Sequence, residues 1–119
     1  MNYQRGDIVL ADLPYSDRSG GKKRPALVVQ CDRNNQRLDD VILAMVTRTI
    51  QRADTEPTQL LIDIATPAGA ESGLLHTSAV KCEHIITLHR RFVERVIGRV
   101  PPELMAKVDD CLKTSLGLT

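Results

Sequence analysis

Short apolar segments cut by turn-forming residues fill about the first hundred residues of this chain, and only from Pro101 does the apolar spacing become helical. The chain therefore reads as short strands separated by polar turns and closed by one helix. Ile8–Leu13 and Pro25–Gln30 read as two strands joined by a long, glycine-bearing, basic loop running from Pro14 to Lys23. Val41–Thr47 reads as a third strand, reached through the polar run 32–37, whose composition is that of a surface connection. Gln59–Ile64 and Ser78–Leu88 are further β-rich stretches on either side of a breaker run at 66–73, and Arg95–Val100 is a last short strand. In the final segment Leu104, Val108, Cys111, Leu112 and Ser115 share one helical face, with Glu103–Lys107 and Asp109–Lys113 as i,i+4 pairs and prolines at the helix start. Five to seven strands and one helix predict a small, partly open β-barrel with the helix against one side.

A chain of 119 residues falls within the range of one domain, and a domain of this size buries roughly two-thirds of its unfolded surface. We therefore expect a single domain over residues 1–119. The 42% hydrophobic and 26% charged fractions exclude disorder, collagen and coiled coil, and no apolar run approaches the ~20 residues needed to span a bilayer. The N-terminus enters a strand without the hydrophobic region of a secretory signal, and Cys31, Cys82 and Cys111 are odd in number and widely spaced. Both features predict a cytoplasmic protein with reduced thiols.

The net charge is only +1, but residues 1–52 carry nine Lys and Arg against six Asp and Glu, and residues 53–119 carry seven against nine. An anionic partner is therefore expected on the N-terminal half. With only Tyr3, Tyr15 and Phe92 aromatic, a stacking platform for bases is excluded, and recognition falls to hydrogen bonds and cations. Arg18, Lys22 and Lys23, beside Arg24, form a basic run next to glycine-freed backbone N–H groups, which suits phosphate or, equally, plain solvation. Cys82 and His84 share a strand face by alternation, yet no second ligand pair accompanies them, so we expect no metal and no cofactor. No nucleophile elbow, P-loop or dinucleotide fingerprint is present.

Arg5-Gly6-Asp7-Ile8-Val9-Leu10-Ala11-Asp12-Leu13, then Lys23-Arg24-Pro25-Ala26-Leu27-Val28-Val29-Gln30, a strand ending in Thr47, and a closing helix from Glu103 to Leu116 together resemble the MazF/PemK/Kid family of bacterial toxin endoribonucleases. The similarity spans nearly the whole chain. It implies an SH3-like barrel of the toxin type shared with the CcdB toxins, a homodimer, and inhibition by a cognate antitoxin. It also implies metal-independent, sequence-specific cleavage of single-stranded RNA, the activity of an mRNA interferase.

By the same resemblance Arg24 and Thr47 are the catalytic pair. Attack of an RNA 2′-OH on the adjacent phosphate builds charge on phosphoryl oxygens, which a planar guanidinium can bind two at a time and a hydroxyl can support. A high intrinsic pKa makes arginine a stabiliser of that charge before it is a proton donor. Without the resemblance, Arg24 reads as a solvated turn arginine and Thr47 as an ordinary strand residue. Thr49 is expected on the face of Thr47 by strand alternation, with Arg48 pointing the other way. Relatives place base-reading polar groups where Glu83 and His84 stand, and His84 is also a candidate general base. Arg48 departs from the family's small polar residue, which bears on RNA contacts more than on chemistry.

Two other functions compete with the nuclease. One is a non-enzymatic toxin that binds gyrase as CcdB does, and the other is an eroded homologue that only binds RNA or antitoxin. The partners expected on the nuclease reading are single-stranded RNA, an acidic antitoxin laid over the rim of Arg18, Lys22, Lys23 and Arg24, and a second copy of the chain, met in part through Leu112, Leu116 and Leu118.

Overall fold

The computed structural model describes residues 2–13 and 23–119. Six strands, β1 (Asp7–Ala11), β2 (Arg24–Val28), β3 (Asp40–Thr47), β4 (Gln59–Ile62), β5 (Ser78–His89) and β6 (Val93–Arg99), form one antiparallel sheet in the order β4-β5-β3-β2-β1-β6. The fold is mainly β with a C-terminal helix, as expected, and the sheet is open: β4 and β6 are its edges. Period-2 alternation sends neighbouring residues to opposite faces. Val9, Ala26, Val28 and Leu43 enter one core with Tyr3, Leu13 and Val93, whereas Ile8, Leu27, Ala44 and Val80 enter a second. That second core is roofed by α3 (Pro102–Leu116), which contributes Met105, Val108 and Cys111. None of the described helices is long and apolar enough to cross a membrane.

Helix α3 starts at Pro102, whose ring suits the first helical position, and ends at Gly117 in the left-handed conformation, with the Leu118 N–H donating to the Lys113 carbonyl at 2.8 Å. Met105 joins Val108 and Cys111 as the residues it buries, and Leu112 packs partly into the core while Leu116 and Leu118 stay outside. Neither expected i,i+4 pair closes; Asp109 instead accepts from Arg5 Nη2 at 2.6 Å, tying the N-terminal segment to the helix. Arg5 also donates from Nε to the Val29 carbonyl at 2.9 Å.

The run 32–37 is not a plain connection but helix α1 (Asp32–Arg37). Its buried Asn35 exchanges hydrogen bonds with Gln30, through Asn35 Nδ2 to the Gln30 carbonyl and Gln30 Nε2 to Asn35 Oδ1, and Asp32 Oδ1 accepts the Arg5 backbone N–H at 2.7 Å. These tertiary partners override a weak local preference. Likewise the breaker run holds a four-residue turn of helix, α2 (Pro67–Ala70), capped by Thr66 Oγ1 accepting from the Gly69 N–H at 3.0 Å.

Two glycines join that region to the sheet edge. Gly73, at φ +72°, and Gly98 of β6 let the backbone at 71–73 lie directly against β6, where the Arg99 N–H donates to the Glu71 carbonyl at 2.8 Å. This contact anchors the segment that runs from Leu74 to Ser78.

Candidate functional site

Strands β2 and β3 pair Ala26 with Met45, and continuing that register by two residues sets Arg24 opposite Thr47. The two side chains line one cleft of about 400 Å³ together with Arg48, Thr49, Lys81 and His84. The strand ends at Thr47 because the Thr49 N–H turns back to donate to Thr47 Oγ1 at 3.1 Å. That bond fixes the hydroxyl oxygen and leaves its own proton available to a ligand. It also removes the alternation expected beyond Thr47. Thr49 does share the cleft of Thr47, but through this turn; Arg48, expected to point away, lines the same cleft.

Strand β5 carries the second departure from simple alternation. Lys81 pairs with Met45 and Ile85 with Ala44, so Cys82, Glu83 and His84 bulge out of the ladder with β3. Glu83 and His84 lie within β5, and the bulge aims them differently. His84 faces the cleft of Arg24 and Thr47. Cys82 turns into the core beside Cys111, where burial pushes its thiol up to about 12. Cys82 is thus in the core while His84 lines the cleft, and among the described residues no three His, Cys, Asp or Glu side chains converge.

Glu83 is committed to β4's approach. Its carboxylate accepts from Gln59 Nε2 at 2.7 Å and from Thr58 Oγ1 at 3.0 Å. Burial raises its pKa, but the hydrogen bonds from Gln59 and Thr58, with the charge of Lys81, outweigh it and hold the carboxyl below its ordinary value. Glu83 reaches Thr47 and Thr49 only from a side cleft that it shares with Arg52 and Lys81. The bulge therefore brings His84, but not Glu83, to Arg24.

Lys23 lies in a third, adjoining cleft of about 470 Å³, whose floor of Leu10, Leu74 and Ile97 is rimmed by Arg48, His76 and Arg95. Arg18 and Lys22 lie outside the described residues. Across the three clefts the described lining carries the cations Lys23, Arg24, Arg48, Arg52, Lys81 and Arg95 against the one carboxylate of Glu83. The basic face is consequently built from both halves of the chain and not from the N-terminal half alone, because β5 and β6 bring Lys81 and Arg95 to it. Lys81 had a signal in the sequence, since it stands between the inward Val80 and Cys82. Arg52 and Arg95 had none, for their placement depends on how the loop after β3 and the edge strand β6 close around the site.

The chain is 34% identical over 119 residues to Endoribonuclease EndoA of Bacillus subtilis (strain 168), which covers 99% of this chain and 97% of the relative. A solved mycobacterial endoribonuclease in complex with its cognate antitoxin superposes with a TM-score of 0.79 at 28% identity, covering 99% of this chain and 98% of that one. The Mycobacterium tuberculosis toxin MazF-mt6 shares the fold, with a TM-score of 0.76 at 22% identity over 95% of this chain and 98% of its own. The family model for the PemK-like, MazF-like toxin of type II toxin-antitoxin systems matches residues 4–116. Since that match takes in every strand, the cleft between β2 and β3 and the closing helix, the chain belongs to the PemK-like, MazF-like toxins of type II toxin-antitoxin systems.

Proposed function

We propose that this toxin is itself an endoribonuclease that cleaves single-stranded RNA at short sequences without a metal ion. The observation that carries the reading is the placement of Arg24 opposite Thr47 in one cationic cleft whose described lining contains no Asp or Glu. Divalent cations of the Mg²⁺ type are held by carboxylates, so such a lining favours direct stabilisation by the protein. In the reaction the 2′-oxygen bonds to the adjacent phosphorus, the bond from phosphorus to the 5′-oxygen breaks, and the proton lost from the 2′-OH is balanced by one gained at the 5′-oxygen. Arg24 binds the phosphoryl oxygens on which charge accumulates, and Thr47 donates its hydroxyl proton to the same group. Lys23, Thr49 and His84 contact the flanking strand, and Glu83 acts from the side cleft. The chemistry that the relatives' name carries sets the gyrase-binding alternative aside.

The working unit is a homodimer in the cytoplasm, held in check by an acidic antitoxin over the basic face. Leu116 and Leu118, 55% and 60% exposed at the end of α3, are offered as part of the dimer contact, and the mycobacterial relative's complex with its antitoxin supports the second partner. The test is incubation of the purified protein with a long unstructured RNA in EDTA. Cleavage leaving a 2′,3′-cyclic phosphate, or the 3′-phosphate from its hydrolysis, and a 5′-OH is the expected result. Strict dependence on added metal, or 5′-phosphate ends, would overturn the mechanism.

A further inference from the structure

We propose that Arg48 grips a second phosphate of the bound strand, the one next to the phosphate held by Arg24 and Thr47. The inference takes its substrate class from the nuclease reading and its residue from three observations. First, the cleft of Arg24 and the cleft of Lys23 share only Pro25, Arg48 and Ser78 among their described lining residues, and Arg48 alone of these is charged. Arg48 therefore stands where one cleft meets the other. Second, the turn that the Thr49 N–H makes onto Thr47 Oγ1 sets the direction of Arg48, so the element that orients the reactive hydroxyl also presents this cation. Third, Arg48 is exposed, and among the described residues no carboxylate forms an ion pair with it.

A guanidinium at such a passage, with no carboxylate paired to it among the described residues, is a receptor for an anion with two oxygens in one plane. In a single strand already fixed by one phosphate, the anion that arrives next is the neighbouring phosphate. The rim of the cleft beyond carries Lys23 and Arg95, so the backbone continues along cations once it has passed Arg48. Contact with a phosphate other than the reacting one adds affinity before and during the reaction alike, so it appears in KM and in salt dependence rather than in kcat.

Two measurements on the wild type, Arg48→Ala and Arg48→Lys test this. On a 2′-O-methylated, uncleavable RNA, Arg48→Ala is expected to lose about tenfold in affinity and to lower the slope of log affinity against log salt by about 0.7, the value for one phosphate contact on a single strand. Arg48→Lys should keep the slope and lose part of the affinity, because the charge stays and the planar fork is gone. On the cleavable RNA, Arg48→Ala should raise KM about tenfold with little change in kcat. An unchanged salt slope overturns the proposal, and so does a fall in kcat at constant KM, which would put Arg48 on the reacting phosphate. Because the first measurement needs no cleavage, a wild type that binds the uncleavable strand but cuts no RNA refutes the nuclease reading separately. One that binds no RNA at all refutes both.

Discussion

Gly98→Ala is expected to destabilise the protein by about 2–4 kcal/mol. A Cβ at this position would stand 2.3 Å from both the carbonyl carbon and the oxygen of Ser72 and 2.5 Å from the Glu71 oxygen. That is roughly 1 Å inside ordinary contact, and the obstacle is backbone, so no side chain can rotate out of the way. Either β6 or the segment at 71–73 must retreat, which costs about 1–3 kcal/mol as overpacking. The retreat also opens the bond from the Arg99 N–H to the Glu71 carbonyl, now 2.8 Å, for about 1 kcal/mol more. For 119 residues each kcal/mol lowers Tm by about 4 °C, so a fall of about 8–16 °C is expected in thermal unfolding followed by far-ultraviolet circular dichroism. Gly117→Ala is the control: its Cβ would meet nothing within 4 Å, and only the φ of +73° is unfavourable, so a loss of about 1–2 kcal/mol is expected. If Gly98→Ala melted within about 2 °C of the wild type, the close approach would not be what fixes this edge, and the reasoning would fail.

Arg24→Ala should lower kcat by about 10²–10³ while leaving Tm close to that of the wild type, and Thr47→Ala should lower the rate with little change in fold; full activity in both variants removes the catalytic assignment. The lowered pKa of Glu83 means that the unfolded chain holds the extra proton, so this group's stabilisation is complete above the ordinary value of 4.5 and is lost as pH falls through the lower native value. The stability gap between wild type and Glu83→Gln, read from urea midpoints, should therefore close on acidification, and a gap independent of pH contradicts the hydrogen-bonded carboxylate. Leu116→Glu combined with Leu118→Glu should shift the proposed dimer toward monomer in light scattering at micromolar concentration, and an unmoved mass excludes this end of α3 from the contact. An acidic antitoxin peptide titrated onto protein carrying labelled, uncleavable RNA should displace it, less effectively at high salt; RNA still bound at saturation eliminates direct occlusion.

Much of the sheet was legible because alternation needs only neighbours: β1, β2, β3 and β5 emerge from runs such as Ile8-Val9-Leu10-Ala11 and Val41 to Thr47, within a residue or two of their observed ends. Helix α3 announced itself by the change of period after Pro101. Helix α1 stayed hidden because it depends on Gln30 and Arg5, which are distant in kind from anything a polar run of six residues displays. The candidate site divides in the same way. Arg24 and Thr47 were reached through the family resemblance, since taken alone they read as a turn arginine and an ordinary strand threonine, whereas Lys81 was within reach of alternation though not singled out. Arg48 was misread because alternation was carried one residue past the hydrogen bond that ends β3, and Cys82 and His84 were misread because a bulge cannot be recognised from one strand alone.

That bulge also bears on how such a protein can change over generations. Strand β5 is pinned twice, by β3 and β4 through residues 78–81 and by β3 again through residues 85–89, with residues 82–84 between the two ladders. A strand without this joint would tie every outward side chain to the inward ones beside it, since a slip of one residue exchanges the faces. Here the joint can re-bend while Val80 and Leu88 keep their places in the two cores, although exchange of Glu83 forfeits its hydrogen bonds to Gln59 and Thr58. The part of the strand facing the cleft can thus change without a shift of register in either core, so that a substitution there is felt locally and not along the whole strand.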